Sequence, residues 1–202
     1  MKFSNTSVMN FENAFRGLRN PKNSWDRSDS GKLYWDGTWY HEELKNYFTE
    51  YGVNFYIGEN DMKLAQTLIK AGSEHRKFMR QIFVSVDITA PLYWWKEFDT
   101  YKVGTVANST STMHKLATTP ITINCFEHDE DVELNDYLLT THMMFNSIIN
   151  HCEKLRQKYL QTNDKRFWRA LIQLLPESWL QTRTVTMNYE NLRNMYSARR
   201  NH

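Results

Sequence analysis

One stretch of strict alternation does most to limit the folds open to this chain. From Ile82 to Thr89, apolar β-branched residues occupy every second position, with Phe83, Ser85 and Asp87 between them. Such alternation predicts a β-strand with one buried face. The Ala90-Pro91 pair that follows ends this strand, because proline donates no hydrogen bond to a sheet.

Helical spacing is more common than alternation in the rest of the chain, which favours an α+β fold. Helices are expected at residues 10–19, 41–51, 60–72, 92–98, 164–175 and 188–196, with one long helix or two short ones over 131–162. Further strands are expected at 121–126 and 182–187, and a loop or edge hairpin at 20–39. We treat residues 1–202 as one domain, because this length needs no second core.

Asparagine and aspartate stand where several of these helices should begin. Asn10, Asn60, Asp164 and Asn188 are each predicted to cap a helix through a side-chain oxygen. The small, polar residues 104–111 suit either a plain turn or a close approach of the backbone to a ligand.

Composition excludes several classes of function. The net charge is +2, which gives no electrostatic case for binding nucleic acid or anionic lipid. Cys125 and Cys152 form neither a CxxC pair nor a metal-ligand spacing, as expected of a cytoplasmic protein. No apolar run approaches the roughly 18 residues that a membrane span needs. The acidic run 127–131 is better explained as a solvated helix start than as a cation site, so no metal is expected.

The C-terminal quarter carries the most specific pattern. Leu175-Pro176 is followed by Thr186 and then by residues 188–199, which read NYENLRNMYSAR. Flavin-dependent thymidylate synthases carry a similar stretch, in which LP is followed by threonine and then by N-A-R-x-L-x-N-F-L-x-L-R. The resemblance implies that Asn188 and Asn194 contact a flavin and that Arg199 faces a nucleotide phosphate. Arginine suits that role, since it can donate paired, charged hydrogen bonds.

The middle of the chain also resembles this family. There, a strand ending in Ala-Pro or a similar pair leads through a helix to R-H-R and then to S-x-N-E-x-S-x-R-Y. Asn108 and Ser111 match the second motif, and the resemblance makes them nucleotide contacts together with Ser109 and Lys102.

The departures from the family pattern concern its charges. R-H-R falls on Thr100-Tyr101-Lys102, the motif glutamate is replaced by Ser109, and Arg-Tyr is replaced by Met113-His114. The arginine that precedes LP in the family falls on Ile172. The family also has an upstream Glu-His pair that contacts the flavin. By residue identity its counterpart here is Glu74-His75, whereas by spacing to the following strand it is Arg80-Gln81. We favour the spacing, so His75 is the weaker candidate.

The resemblance covers roughly residues 60–200, and residues 20–58 have no counterpart. It implies an antiparallel sheet packed with helices, and a homotetramer with sites shared between subunits. It also implies a reaction in which flavin, a nicotinamide cofactor and a folate convert dUMP. FAD is the cofactor so implied, but the loss of four arginines argues against its binding and against catalysis, because these cations would stabilise developing negative charge.

Three hypotheses follow. The first is a protein that keeps the fold and binds or sequesters a nucleotide-derived small molecule. The second is a divergent synthase or another pyrimidine-modifying enzyme. The third is an interaction protein without a small-molecule ligand. Each site residue also has an ordinary structural role: Asn188 as a cap, Arg199 as a helix-end cation, Asn108 and Ser111 as turn residues.

Overall fold

The computed structural model describes residues 1–32, 55–112, 116–128 and 136–201. Its helices are α1 (Phe11–Arg19), α2 (Glu59–Ala71), α3 (Leu92–Phe98), α4 (Asp136–Thr162), α5 (Lys165–Leu174) and α6 (Tyr189–Arg199). Its strands are β1 (Lys2–Met9), β2 (Gly31–Lys32), β3 (Phe55–Tyr56), β4 (Phe83–Pro91), β5 (Val106–Ser109) and β6 (Leu180–Asn188). None of these helices is both long and apolar enough to cross a membrane.

The main sheet has the strand order β1-β4-β6-β5, and β2 pairs with β3 separately and antiparallel. Side-chain hydrogen bonds give the direction of the central pair. They join Ser85 to Thr186, Asp87 to Thr184, and Thr89 to Thr182. As the residue number in β4 rises by two, the number of its partner in β6 falls by two, so these strands are antiparallel. The α+β prediction is confirmed.

The alternating strand is confirmed as β4. Val84, Val86 and Ile88 are buried, whereas the residues between them are exposed or half-buried. Pro91 is the last residue of the strand and also takes the N-cap position of α3, as its fixed φ and missing N–H allow.

The chain divides into two compact units. The long-helix unit contains Met1–Phe3, Ile88–Thr100 and Asn108–Arg183. The terminal-helix unit contains Ser4–Asp87, Tyr101–Ala107 and Thr184–His202. That all 202 residues form one domain stays a prediction.

The long-helix unit has its own apolar core, which includes Phe126, Ile149, Cys152 and Leu171. Arg156 of α4 braces it, donating to Glu153 through Nε (2.7 Å) and to the Ala117 carbonyl through Nη1 (3.1 Å). Glu153 also accepts from the Ile121 amide at 2.8 Å. The hydrogen bonds from Arg156 hold the pKa of Glu153 at about 2, against an ordinary 4.5, although partial burial acts in the opposite direction.

Two segments differ from their prediction. Residues 121–126 are not a strand: Phe126 N donates to the Ile123 carbonyl (2.9 Å), which closes a short 3₁₀ turn, and only an isolated bridge joins Phe126 to Trp179. Conversely, the polar segment 104–111 is not only a turn, because β5 occupies part of it at the edge of the sheet. The expected helix at 41–51 lies outside the described residues, as do parts of the predicted 20–39 loop and of the predicted helix start at 131–135.

The predicted caps at Asp164 and Asn188 are confirmed, since each side chain accepts from a backbone amide two or three residues ahead. Asn10 is the N-cap residue of α1, as predicted, but the side-chain cap expected of it is absent. Asn10 adopts a left-handed conformation (φ 72°), and its side-chain Nδ2 donates to the Gln81 carbonyl at 2.7 Å. Asparagine tolerates this conformation better than most residues.

The prediction that Asn60 caps α2 is also wrong, because the cap comes from a distant residue. Asp29 accepts from the Asn60 amide (2.8 Å) and the Asp61 amide (3.0 Å), while Gly58 takes the N-cap position. A Cβ on Gly58 would lie 2.1 Å from the Asp29 carboxyl carbon, so only glycine leaves room for this cap. The bond from the Asn60 amide is the largest cause of the lowered pKa of Asp29.

A buried ion pair joins α1 to α2 inside the terminal-helix unit. Asp61 has no exposed surface and accepts from Arg19 Nε at 2.6 Å and from Ser28 Oγ at 2.6 Å. Burial acts to raise the pKa of Asp61, but its hydrogen bonds to Ser28, Ser30 and Arg19 together lower it. Around this pair the core packs Phe15, Leu18, Ala65 and other apolar residues.

Candidate functional site

The start of α6 is fixed by a pair of asparagines. Asn188 Oδ1 accepts from the Asn191 amide at 3.0 Å, and Asn191 Oδ1 accepts from the Asn188 amide at 3.1 Å. This reciprocal arrangement is a capping box, which satisfies backbone donors that the first helical turn leaves unpaired. Asn188 therefore precedes the helix as its N-cap residue.

The segment 101–107 lies against this capping box. Asn191 Nδ2 donates to the Val103 carbonyl at 2.5 Å. Gly104 has φ +76°, and a Cβ there would lie 3.2 Å from Asn188 Nδ2 and 3.3 Å from Asn191 Oδ1. Both its conformation and the close approach favour glycine. The polar segment thus brings its backbone to the two asparagines.

At the end of α6, Arg199 meets the same segment. Its Nε donates to the Tyr101 hydroxyl at 2.9 Å, and its Cζ lies 6.0 Å from the centre of the Tyr101 ring. Both Arg199 and the neighbouring Lys102 are exposed, whereas Tyr101 is half-buried. We call Tyr101, Lys102 and Arg199 the arginine–tyrosine patch. Arg199 and Lys102, two residues predicted to contact a nucleotide, thus both adjoin Tyr101, the first through a hydrogen bond and the second along the chain.

The predicted contact His75 is exposed, and its neighbour Arg76 is the residue that reaches α6. Arg76 Nε donates to both carboxylate oxygens of Glu190 at 2.9 Å, and the two side chains are only 13% and 12% exposed. The sequence did not predict this ion pair, because 114 residues separate Arg76 from Glu190 and no local pattern indicates their contact. Of the alternative counterparts, Gln81 offers its carbonyl to Asn10, and the Arg80 side chain is exposed. Asn194 is exposed on α6.

The other predicted nucleotide contacts lie in the long-helix unit. Asn108 and Ser109 are exposed on β5, and Thr110 continues the pairing by donating its amide to the Thr182 carbonyl at 2.8 Å. The buried Gln181 donates through Nε2 to the Thr110 carbonyl (3.0 Å) and to Thr112 Oγ1 (3.2 Å). Gln181 therefore fixes the backbone on both sides of Ser111.

Ser111 lines a cleft of about 160 Å³ within this unit. Hydroxyl groups and apolar surface meet there, contributed by Thr110, Ser111, Thr112, Leu116, Trp179 and Leu180. We call it the hydroxyl cleft. A small flat group with polar edges and apolar faces suits such a lining.

An arginine that the sequence reasoning did not single out also lies in this unit. Arg183 Nη1 donates to Asp99 (3.1 Å), Nε donates to Gln181 Oε1 (3.0 Å), and Cζ stands 4.2 Å from the centre of the Trp95 ring. Trp95 is buried and donates Nε1 to the Gln181 carbonyl at 3.0 Å. The ion pair with Asp99 and the cation–π contact with Trp95 orient Arg183, and its hydrogen bond to Oε1 holds Gln181 in place.

Most side-chain polar atoms at the start of α6 are already used within the protein. Both side-chain oxygens of the asparagine pair accept from backbone amides, and Asn191 Nδ2 donates to the Val103 carbonyl. A cofactor that displaced the backbone amide from the Asn188 oxygen would break the cap, which weighs against a flavin contact at that oxygen. In the described parts of the chain, no group of three or more His, Cys, Asp or Glu residues is arranged to hold a metal ion.

Comparison with known proteins gives the fold. No protein-family model and no curated protein matches the sequence. Two crystal structures of thymidylate synthase X from Helicobacter pylori, both with FAD and dUMP, match 98% of this chain and 84% of theirs, at a TM-score of 0.61 and 16% identity. The chain has the fold of a flavin-dependent thymidylate synthase. The UMP/dUMP methylase PolB from Streptomyces cacaoi, solved with 5-bromo-UMP, matches 70% of this chain and 65% of its own, at a TM-score of 0.51 and 14% identity.

Proposed function

We propose that this chain is a nucleotide-binding protein that keeps the thymidylate synthase X fold without the standard catalytic motif. It binds or sequesters a nucleotide-derived small molecule, and the nucleotide phosphate is bound by Arg199. The observation that carries the proposal is the contact between Arg199 and Tyr101, which orients an exposed guanidinium next to the residue that precedes Lys102 in the chain. Oriented guanidinium groups suit phosphate because they present paired donors.

In the long-helix unit, taken by itself, the proposed nucleotide contacts are Ser111, Asn108 and Ser109. They would contribute hydroxyl and amide groups, and Gln181 holds the backbone on both sides of Ser111. In the proposal the sites lie between subunits of a homotetramer. Exposed apolar residues of α4, among them Tyr137, Met143 and Met144, support self-association, because large apolar groups of this kind are enriched at interfaces.

The alternative is an active, divergent FAD-dependent enzyme that methylates dUMP or modifies another pyrimidine nucleotide. Fold similarity to synthases solved with FAD and dUMP favours it. The occupied cap at Asn188 and the missing arginines argue against it. The two functions differ in a property that is simple to measure, since a bound flavin absorbs visible light and a nucleotide does not.

The test uses the purified full chain. We would record its absorption spectrum and then titrate FAD and dUMP by calorimetry into the wild type, Arg199→Ala and Arg200→Ala. Arg200 is the matched control, because it is exposed, adjacent and of equal charge. A colourless protein whose dUMP affinity falls about 10- to 100-fold in Arg199→Ala alone supports the proposal, as expected for one lost charged hydrogen-bonding group.

Other outcomes decide against it. A flavin spectrum together with FAD-dependent turnover of dUMP establishes the enzyme alternative. An equal loss in Arg199→Ala and Arg200→Ala means that net charge, and not a site, binds the nucleotide. Absence of binding across a panel of pyrimidine and purine nucleotides, both linear and cyclic, removes the proposal.

A further inference from the structure

A cavity of about 340 Å³ lies in the terminal-helix unit, at the end of α1 and the two 3₁₀ turns that follow. Of its lining side chains only Leu64 is apolar. None of the residues in the arginine–tyrosine patch or the hydroxyl cleft lines it. Its volume is at the small end of the range for ligand sites, roughly 300–1,000 Å³.

The charges around this cavity are mainly positive. Arg19, Lys22 and Arg27 line it, against the single carboxylate of Asp26. Arg19 is already paired with the buried Asp61. Lys22 and Arg27 are exposed, and the structure records no ion pair for either among the residues it describes. Two cations are therefore available to an anion in the cavity.

Two buried polar atoms in the lining lack an aligned partner. Ser24 is 8% exposed, and its hydroxyl has no hydrogen bond to any described residue. Arg19 is 5% exposed; its Nη2 lies 2.6 Å from Asp61 Oδ1 but outside hydrogen-bond alignment. Buried donors without partners are costly, so their presence at one cavity points to a ligand that supplies acceptor oxygens.

We propose that this cavity binds the phosphate group of a sugar phosphate. Lys22 and Arg27 neutralise the phosphate, and Ser24 Oγ and Arg19 Nη2 donate to its oxygens. A phosphate alone would leave much of the volume unfilled and would face Asp26. A sugar body explains both features, because a carboxylate accepts hydrogen bonds from hydroxyl groups and a polar body suits a polar lining.

The test compares ribose 5-phosphate, inorganic phosphate and ribose by calorimetry at fixed ionic strength, using the full chain. We expect ribose 5-phosphate to bind most tightly. The double variant Lys22→Ala/Arg27→Ala should weaken its binding at least about 10-fold, since charged hydrogen bonds are lost. The control Lys63→Ala/Lys77→Ala removes the same charge from exposed positions elsewhere in the unit and should change little.

Ser24→Ala separates a binding role from a structural one. Because the hydroxyl has no partner among the residues that the structure describes, its removal should leave the Tm without ligand unchanged or slightly higher. The rise in Tm that ribose 5-phosphate produces should shrink. A lower Tm in both conditions would mean that Ser24 supports the fold only, and would count against the site.

Asp26→Asn tests the sugar part. Inorganic phosphate should bind more tightly, because a repelling charge is gone, while ribose 5-phosphate should lose part of its advantage over phosphate. An unchanged ratio of the two affinities overturns the assignment of Asp26. Arg199→Ala should leave ribose 5-phosphate binding intact, so this proposal and the nucleotide site can fail separately. Binding that is equal in the double variant and its control overturns the site as a whole.

Discussion

The two ends of α6 differ in how their polar side chains are bound. At its start, Asn188 and Asn191 cap each other and receive the backbone of Val103 and Gly104, so their polar atoms serve the fold. At its end, the exposed Arg199 donates through Nε to the Tyr101 hydroxyl in the same segment. Asn188 is therefore held by contacts within the protein, whereas the Arg199 side chain is open to solvent. Mutations should therefore affect stability at one end and binding at the other.

The largest loss of stability is expected for the pair of Glu153 and Arg156 in the long-helix unit. A shift of the pKa of Glu153 from 4.5 to about 2 corresponds to about 3 kcal/mol. The folded-state pKa is lowered, so this contribution is complete above pH 5 and disappears as the pH falls towards 2. Urea unfolding of the wild type and Glu153→Gln between pH 7 and pH 3 should show the two curves converging; a constant difference would contradict the assignment.

The second largest loss of stability is expected for the ion pair between Arg76, which follows α2 in the chain, and Glu190 of α6. Glu190→Gln leaves the nearly buried Arg76 guanidinium without its carboxylate, at a cost of about 2 kcal/mol in the free energy of unfolding. Chemical denaturation measures it. Arg76→Gln/Glu190→Gln should recover part of the loss, and a double variant no better than the single one would mean that the pair is not coupled.

Asn191→Ala should cost about 1.5 kcal/mol, because it removes one half of the capping box and the bond to Val103. Its dUMP affinity should match that of the wild type. Asn194→Ala, at an exposed position of the same helix, is the control and should be close to neutral. A variant of Asn191 that loses nucleotide or flavin binding without losing stability would reverse the comparison between the two ends.

Gly104→Ala should cost about 1 kcal/mol through its positive φ, with a further loss if the asparagine side chains must move. Differential scanning calorimetry against Gly72→Ala provides a matched measurement. A Cβ at Gly72, which also has positive φ (+114°), meets no atom of the described residues within 4 Å, so the Gly72 variant reports backbone strain without a close approach.

Arg199→Ala should have the smallest effect on stability, within about 0.5 kcal/mol, since the side chain is exposed. Its effect on nucleotide affinity should nevertheless be the largest of the set. Arg199→Lys sharpens the point: charge is kept but paired donors are lost, so affinity should fall between those of the wild type and the alanine variant. Equal affinities of the lysine variant and the wild type would mean that charge alone matters.

The sequence was a good guide where the signal was local. Alternation in β4 and the caps at Asp164 and Asn188 depend on neighbours within a few residues, and the structure confirms them. The errors at 121–126 and at Asn60 arose because tertiary contacts overrode local preference. The family pattern singled out Arg199, but not Gln181 or Arg183, which bond to Thr112, Trp95 and Asp99 across 69 to 86 residues of chain.

The long-range cap of α2 has a consequence for the order of folding. A helix capped by its own neighbours can form as soon as the local chain turns, but the first turn of α2 waits for Asp29, 31 residues earlier in the chain. The exchange of the Asn60 and Asp61 amide protons with deuterated solvent therefore follows the release of Asp29, and not the ordinary fraying of a helix end. The exchange rates of these two amides therefore report how often the segment that contains Asp29 separates from the start of α2.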